Sequence, residues 1–330
     1  MKVGFALPHQ GRVATTSNMR FVATEAESMG YDSLWTNERL LVPVKAKTPY
    51  PGNAEGILDE EYQNHLDHLT CMTYAAAITD HIRLGVSVIN IPWYNPVLLA
   101  KRLAAMDVLS NGRITVGVGL AWSEDECDAA NVPYRERGRI GEEAIECMLA
   151  VWGPDPVEYH GKYFNLEPAF IGPKPVQKPH PPLIVGAFVP KALDRAGRRA
   201  DGFTGCCAPV DALISMMREV KKAAAEHGRD PENLITVMRC LVNRTEQRLD
   251  DATRAVAHGT WEQIAQDVRK MEDAGVGEIF FDVGFQKDAQ NRAGLPNFHA
   301  WLQGKIAYVS MVRPELGAGL NAQLQAVTGG

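Results

Sequence analysis

Residues 83–122 read RLGVSVINIPWYNPVLLAKRLAAMDVLSNGRITVGVGLAW, and their pattern decides the fold. Ile82–Val88 is a short apolar run carrying Val and Ile, as a strand buried on both faces requires. Asn95 and Pro96 then form a helix N-cap followed by proline at the first helical position. Leu99, Leu103 and Met106 fall at i, i+4 and i+7, one apolar stripe that can cover a sheet. Asn111-Gly112 stops that helix, and Ile114–Val118 begins the next strand. Two strands joined by a helix make a parallel βαβ unit. In parallel α/β folds the loops at the carboxyl ends of strands hold the ligand, so function is expected near Ser87–Trp93 and Gly117–Trp122.

Outward from this unit, strand and helix patterns alternate along the chain. Val3–Leu7, Ser33–Thr36, Leu183–Gly186, Gly202–Gly205, Ile235–Leu241 and Glu278–Val283 read as strands. Helical stripes cover Met19–Met29, His65–Ile78, Arg137–Trp152, Pro190–Ala200 and Val210–Glu226. Thr260-Trp261-Glu262-Gln263 matches a capping box, and Ile264, Val268 and Met271 then face inward. Residues 37–64 lose all periodicity among prolines and glycines, the mark of a lid-like loop. Residues 153–182 read as an insertion holding a hairpin-like VEYHGKYFNL. Eight strands, nearly all followed by helices, fit a single α/β domain of (β/α)8 TIM-barrel type over residues 1–330 better than an open doubly wound sheet. Residues 297–330 are expected to pack outside it as a C-terminal extension.

Composition narrows the function classes. The chain has 330 residues, 45% of them hydrophobic and 22% charged, and 34 − 40 gives a net charge of −6. With no long basic run, nucleic acid is not an expected partner. No stretch of about 18 uninterrupted apolar residues suggests a membrane span. The six cysteines show neither disulfide-scaffold density nor CxxC metal spacing, and the cytosol (cytoplasmic localisation) is the expected compartment.

Each candidate site residue has a plainer alternative. Gly117-Val118-Gly119-Leu120-Ala121-Trp122 shares two glycines with a dinucleotide fingerprint, but Trp122 stands where the third is needed. The glycines still let backbone approach a flat ligand, or simply make a tight barrel rim. His65 and His68 have the i, i+3 spacing of a metal pair without further ligands, so they read as surface or interface histidines and no metal is expected. His9 ends the first strand and is either a proton-handling residue or a rim histidine. Glu38-Arg39 ends the second strand, where the alternative is an exposed ion pair. Cys206-Cys207 ends the sixth and reads as small rim residues.

Taken together, several segments resemble the luciferase-like monooxygenase superfamily, and within it the F-420-dependent (8-hydroxy-5-deazaflavin) oxidoreductases. They are FALPHQG from Phe5, DSLWTNERLLVP from Asp32, the 83–122 stretch with SEDE after it, PVEYHGKYFNL from Pro156, PKPVQKPHPPLIVGA from Pro173, ADGF from Ala200 and WEQIAQDVRKMEDAGVGEIFF from Trp261. The resemblance implies a TIM barrel with a flavin or deazaflavin ring at the carboxyl end of the strands. It implies a non-proline cis peptide at Ser87-Val88 behind that ring, and Glu38 near the ring's pyrimidine end. Gly119, Leu120, Ala121 and Trp122 would flank the ring or ribityl chain, with phosphate near Gly186, Ala187 and Phe188 and with Gly205 and Cys206 close by. The cofactor would be coenzyme F-420 or, alternatively, FMN in a two-component monooxygenase. The substrate would be a small molecule, and a homodimer and a separate flavin or F-420 reductase are the implied partners. His9 could relay a proton and Arg39 could hold an anionic or carbonyl substrate.

This chain departs from the sugar-phosphate dehydrogenases of that family, which carry histidine where Arg39 stands and glutamate where Trp122 stands. The phosphate segment commonly reads GGxS, whereas Ala187, Phe188, Val189 and Pro190 offer no hydroxyl. A non-catalytic cofactor-binding protein is therefore a third reading.

Overall fold

The computed structural model describes residues 1–53 and 55–284. The expected C-terminal extension at 297–330 lies outside the described residues. Eight parallel strands close into a barrel: β1 (Lys2–Ala6), β2 (Ser33–Thr36), β3 (Arg83–Asn90), β4 (Ile114–Gly119), β5 (Leu183–Gly186), β6 (Gly202–Gly205), β7 (Ile235–Leu241) and β8 (Glu278–Asp282). They neighbour one another in chain order, and β1 pairs with both β2 and β8, which leaves no open edge. This excludes the open doubly wound sheet.

The outer helices are α1 (Thr16–Ser28), α2 (His68–Ala76), α3 (Pro96–Leu109), α4 (Glu124–Ala129), α5 (Arg137–Trp152), α6 (Pro190–Arg199), α7 (Val210–Glu226) and α8 (Trp261–Asp273). Local chemistry accounts for their limits. Asn95 Oδ1 accepts from the Leu98 N–H at 3.1 Å while Pro96 occupies the first helical position. Asn111 at φ 60° and Gly112 at φ 77° end α3 in left-handed backbone. At α8 the capping box forms in both directions between Thr260 and Gln263. The α3 stripe is buried at Leu99, Leu103 and Met106, and each fully buried leucine contributes roughly 1.5–3 kcal/mol of apolar burial.

The amino-terminal end of the barrel is plugged by Trp35 stacked on Phe280, their ring centroids 4.8 Å apart. Gly4 and Gly85 make room for that indole, since a Cβ on Gly85 would lie 2.4 Å from it. The carboxyl end faces the excursion of residues 37–64, whereas residues 153–182 leave and rejoin the barrel at its amino-terminal end. Among the described residues of 37–64 the one regular element is a 3-10 turn at Glu60–Gln63. Within 153–182, Val157–His160 and Asn165–Ala169 pair as an antiparallel hairpin. No helix among the described residues is long and apolar enough to cross a membrane.

Candidate functional site

The carboxyl-end rim collects most of the expected residues, and β3 shapes it. The Ser87–Val88 peptide is cis, at the position the family resemblance implies, and the β3–β4 register shifts between Val86 and Ile89. The Val88 side chain lies between the ends of β4 and β5. A Cβ on Gly119 would come within 2.6 Å of Val88 Cγ2, and one on Gly186 within 3.1 Å of Val88 Cγ1. Gly119 thus makes the room Val88 needs to form an apolar floor, and Gly186 lets it pack closely on β5. Beside it, Ser87 Oγ meets Thr204 Oγ1 at 3.1 Å across the barrel. Phe188 and Val189, exposed apolar side chains, stand at the start of α6. Val189 occupies the N-cap position and has no side-chain acceptor, Pro190 has no N–H, and the Ala192 N–H donates to the Val189 carbonyl at 2.8 Å, so the first turn of α6 offers an anion the Lys191 N–H and the helix dipole. A flat ring on the floor and a phosphate at α6 fit this arrangement.

The remaining expected contacts divide. Gly205 is close-packed, with Leu213, Phe203 and Met238 within 3.4 Å of where a Cβ would sit. Leu120 is turned toward α5, since a Cβ on Gly141 would touch it at 2.4 Å. Ala121, at φ 58°, is buried with Cys127, Val132 and Ile140, and its carbonyl accepts from Arg137 Nε at 2.8 Å. Neither side chain joins the Val88 floor. Trp122 joins the lid by packing on Tyr50, with ring centroids 5.4 Å apart.

Arg39 also belongs to the lid. Its Nη1 donates to Glu126 Oε2 at 2.9 Å, and its guanidinium sits 5.4 Å from the Tyr62 ring and 5.0 Å from the Trp122 ring. Glu126 in turn accepts from the Leu40 and Leu41 N–H groups at 2.8 and 3.3 Å. A guanidinium held this way fastens residues 39–41 to α4.

His9 is buried in a polar chain that spans the barrel mouth. Its Nδ1–H donates to the Leu7 carbonyl at 2.6 Å, and Nε2 accepts from the Asn37 N–H at 3.2 Å. Asn37 Oδ1 lies 2.7 Å from the same Nε2 and accepts from Arg239 Nη2 at 3.0 Å. Arg239 can only donate, so it fixes the amide with its oxygen toward His9. That oxygen becomes a partner for Nε2 only when the ring is protonated. Burial lowers the His9 pKa, while Asp282 and these hydrogen bonds oppose the shift. Arg239 is held by Asp282 Oδ2 at 2.6 and 3.1 Å, and both side chains are buried. Burial works against the guanidinium's charge, but Asp282 together with Tyr62, Cys206 and Cys207 outweighs it and keeps the group charged.

Glu38 is buried on the other flank. It accepts from the Asn90 N–H at 2.5 Å and from the Tyr94 hydroxyl, and His68 Nδ1 lies 3.3 Å away. Burial pushes its pKa up to about 7 against the pull of these donors. His68 is therefore not a surface histidine: it is 1% exposed, drawn inward by the carboxylate. His65 stays half-buried and packs on Tyr62. No cluster of three or more potential metal ligands exists among the described residues.

Between the lid and the end of β7 lies a cavity of about 920 Å³, lined by Tyr50, Tyr62, Cys207, Leu241 and Val242 among others. Cys206 and Cys207 interact through their thiols, which lowers the Cys206 pKa and raises that of Cys207. The sequence reading missed Asn37, Asn90, Tyr94, Glu126, Arg239 and Asp282. A signal existed for two of them, since Arg239 lies within the mostly apolar ITVMRCL strand and Asp282 ends the apolar run of residues 279–281.

Comparison with known proteins agrees with this architecture. A protein of Mycobacterium tuberculosis of uncharacterized function is 33% identical over 228 residues, covering 67% of this chain and 80% of that one. The FMNH(2)-dependent dimethylsulfone monooxygenase of Pseudomonas putida is 29% identical over 168 residues, 50% of this chain and 46% of its own. An F420-dependent secondary alcohol dehydrogenase superposes with a TM-score of 0.69 at 18% identity, over 85% of this chain and 92% of the other, a likeness of fold. The profile of the luciferase-like monooxygenase family matches residues 1–257, and the chain belongs to that family.

Proposed function

We propose that the protein is an F-420-dependent oxidoreductase that transfers a hydride between the deazaflavin and a small organic substrate. The observation that carries this reading is the pairing of the Val88 floor with an α6 entrance that has an apolar rim and no hydroxyl. FMN ends in a phosphate dianion, which is best held where several N–H and hydroxyl donors converge, and Pro190 and the bonded Ala192 N–H leave few of them here. The phosphodiester of F-420 carries one charge and continues outward, which a helix N-terminus beside exposed Phe188 and Val189 accommodates. Ser87, Val88, Gly119 and Gly186 would hold the ring, with Ala187, Phe188 and the first turn of α6 at the phosphate and Cys206 nearby. When bound, the deazaflavin supplies the hydride-carrying carbon. The protein's own residues orient and manage protons. His9, with Asn37 Oδ1 ready for its protonated form, gives or takes the proton that accompanies the hydride. Arg39 and Trp122 hold the lid that excludes water. Tyr50, Tyr62 and Leu241 line the chamber together with Glu55, Asp59, Arg244 and Glu246, which suits a substrate with an aromatic or apolar part and polar groups.

The test is anaerobic reoxidation of reduced F-420 by the protein with a panel of ketones, enones and aromatic aldehydes. Turnover without oxygen supports the reading, and a His9→Gln variant should slow it with cofactor affinity unchanged. A second reading, an FMN-dependent monooxygenase, is favoured by the Pseudomonas putida relative. Oxygen-dependent turnover with reduced FMN alone would replace the first reading with this one.

A further inference from the structure

A second cavity, of about 380 Å³, lies beside Glu38 and shares no lining residue with the β7 chamber. Glu38, Arg39, His68, Trp93 and Tyr94 line it, and exposed Leu66, Asp67 and Ala129 stand at its edge. Three of the lining side chains carry a buried nitrogen with no hydrogen-bond partner to nitrogen or oxygen among the described residues: Arg39 Nε, His68 Nε2 and Trp93 Nε1. A cavity with such groups on its walls suits water, which needs several polar partners. His68 also has its other nitrogen 3.3 Å from Glu38 Oε1, so one imidazole links the buried carboxyl to the cavity.

We propose that this cavity is an aqueous antechamber through which Glu38 exchanges a proton with solvent by way of His68, so that Glu38 serves as a proton store beside the barrel mouth. His68 is then a relay and positioning residue. In the uptake direction, Nε2 takes a proton from a hydrated proton in the cavity as the Nδ1 proton passes to the Glu38 carboxylate. The ring remains neutral in its other tautomer, and the reverse shift returns the proton to solvent.

The surroundings suit the two groups to this role. Around Glu38 stand Tyr94 and Asn90 from the β3–α3 segment, His68 and Asp67 from α2, Glu126 from α4 and its neighbour Arg39, with His65 close by. Glu126 works against ionisation of Glu38, and Asn90 and Tyr94 favour it. Arg102 on α3 acts on Tyr94 and Asp67. Burial holds His68 down to about 4, so it is neutral at physiological pH and its Nδ1 proton can lie toward Glu38. The inference rests on the proposed redox reading only for the use made of the proton. Exchange at Glu38 is a property of the cofactor-free protein, so a failure to bind F-420 would leave it standing.

The test is a pH titration of the cofactor-free protein by ¹³C NMR of labelled glutamate carboxyl groups, with Glu38 assigned through Glu38→Gln. Wild type should titrate near neutrality as one averaged resonance. His68→Leu removes the Nδ1 donor and should raise the midpoint, increasing proton affinity about tenfold. His68→Asn can keep a donor near Glu38 but has no distal nitrogen. It should preserve the midpoint while slowing exchange at least tenfold, until separate acid and carboxylate signals appear. If the leucine variant does not fold, the asparagine variant decides alone. A wild-type midpoint in the ordinary carboxylate range, or fast exchange in the asparagine variant, would overturn the proposal.

Discussion

Glu38→Gln replaces the titrating carboxyl with a neutral group of the same shape, and its effect on stability must depend on pH. The folded-state pKa of Glu38 is about 7 against an ordinary 4.5. The gap, at about 1.4 kcal/mol per tenfold change in proton affinity, amounts to about 3 kcal/mol. Because the folded value is raised, the protonated form favours folding fully below the unfolded pKa. That contribution is lost as pH rises toward 7, where a buried carboxylate must be tolerated. Glutamine carries no such loss. It also disturbs the Tyr94 and His68 contacts, but that offset does not vary with pH to first order. Between about pH 5 and pH 8, the stability of the variant relative to wild type should therefore rise by about 2–3 kcal/mol. With an m-value of about 3 kcal/mol/M, the urea midpoint should shift by nearly 1 M across the series, read by tryptophan fluorescence. His68 is common to both proteins and titrates below this window, so it largely cancels. A midpoint difference constant from pH 5 to pH 8 would show that Glu38 ionises as an exposed glutamate does, and the reasoning about its burial would fail.

Three further outcomes follow from particular contacts. Asp282→Ala leaves the Arg239 guanidinium buried with Asn37 as a neutral partner, and should cost about 3–5 kcal/mol in urea unfolding. An Arg239→Met, Asp282→Leu double variant should recover most of that. Gly119→Ala drives a methyl to 2.6 Å from Val88 Cγ2 and should cost about 1–3 kcal/mol, with Val88→Ala relieving it in a thermal-unfolding cycle. Thr260→Ala breaks the capping box and should cost about 1 kcal/mol, with faster amide exchange confined to the first turn of α8.

The barrel was legible because each of its devices is local. The Asn95-Pro96 start, the Asn111-Gly112 stop and the Thr260 capping box depend on residues a few positions apart, and all three occur as the pattern predicts. The site was less legible because its partners are joined only by barrel closure. His9 meets Asn37 and Arg239 from strands far apart in sequence, and no spacing links them. The partner of Arg39 was hidden for the same reason: Glu126, which pairs with its guanidinium, stands 87 residues later. His68 looked like a surface residue because helix periodicity alone cannot reveal a carboxylate waiting opposite it.

The most direct measurement of the central claim is equilibrium binding of the purified, cofactor-free protein to F-420 and, separately, to FMN, followed by fluorescence. The account predicts saturable binding of F-420, weakened by filling the floor in Gly186→Val, and no measurable affinity for FMN. Tight FMN binding with none for F-420 would contradict it.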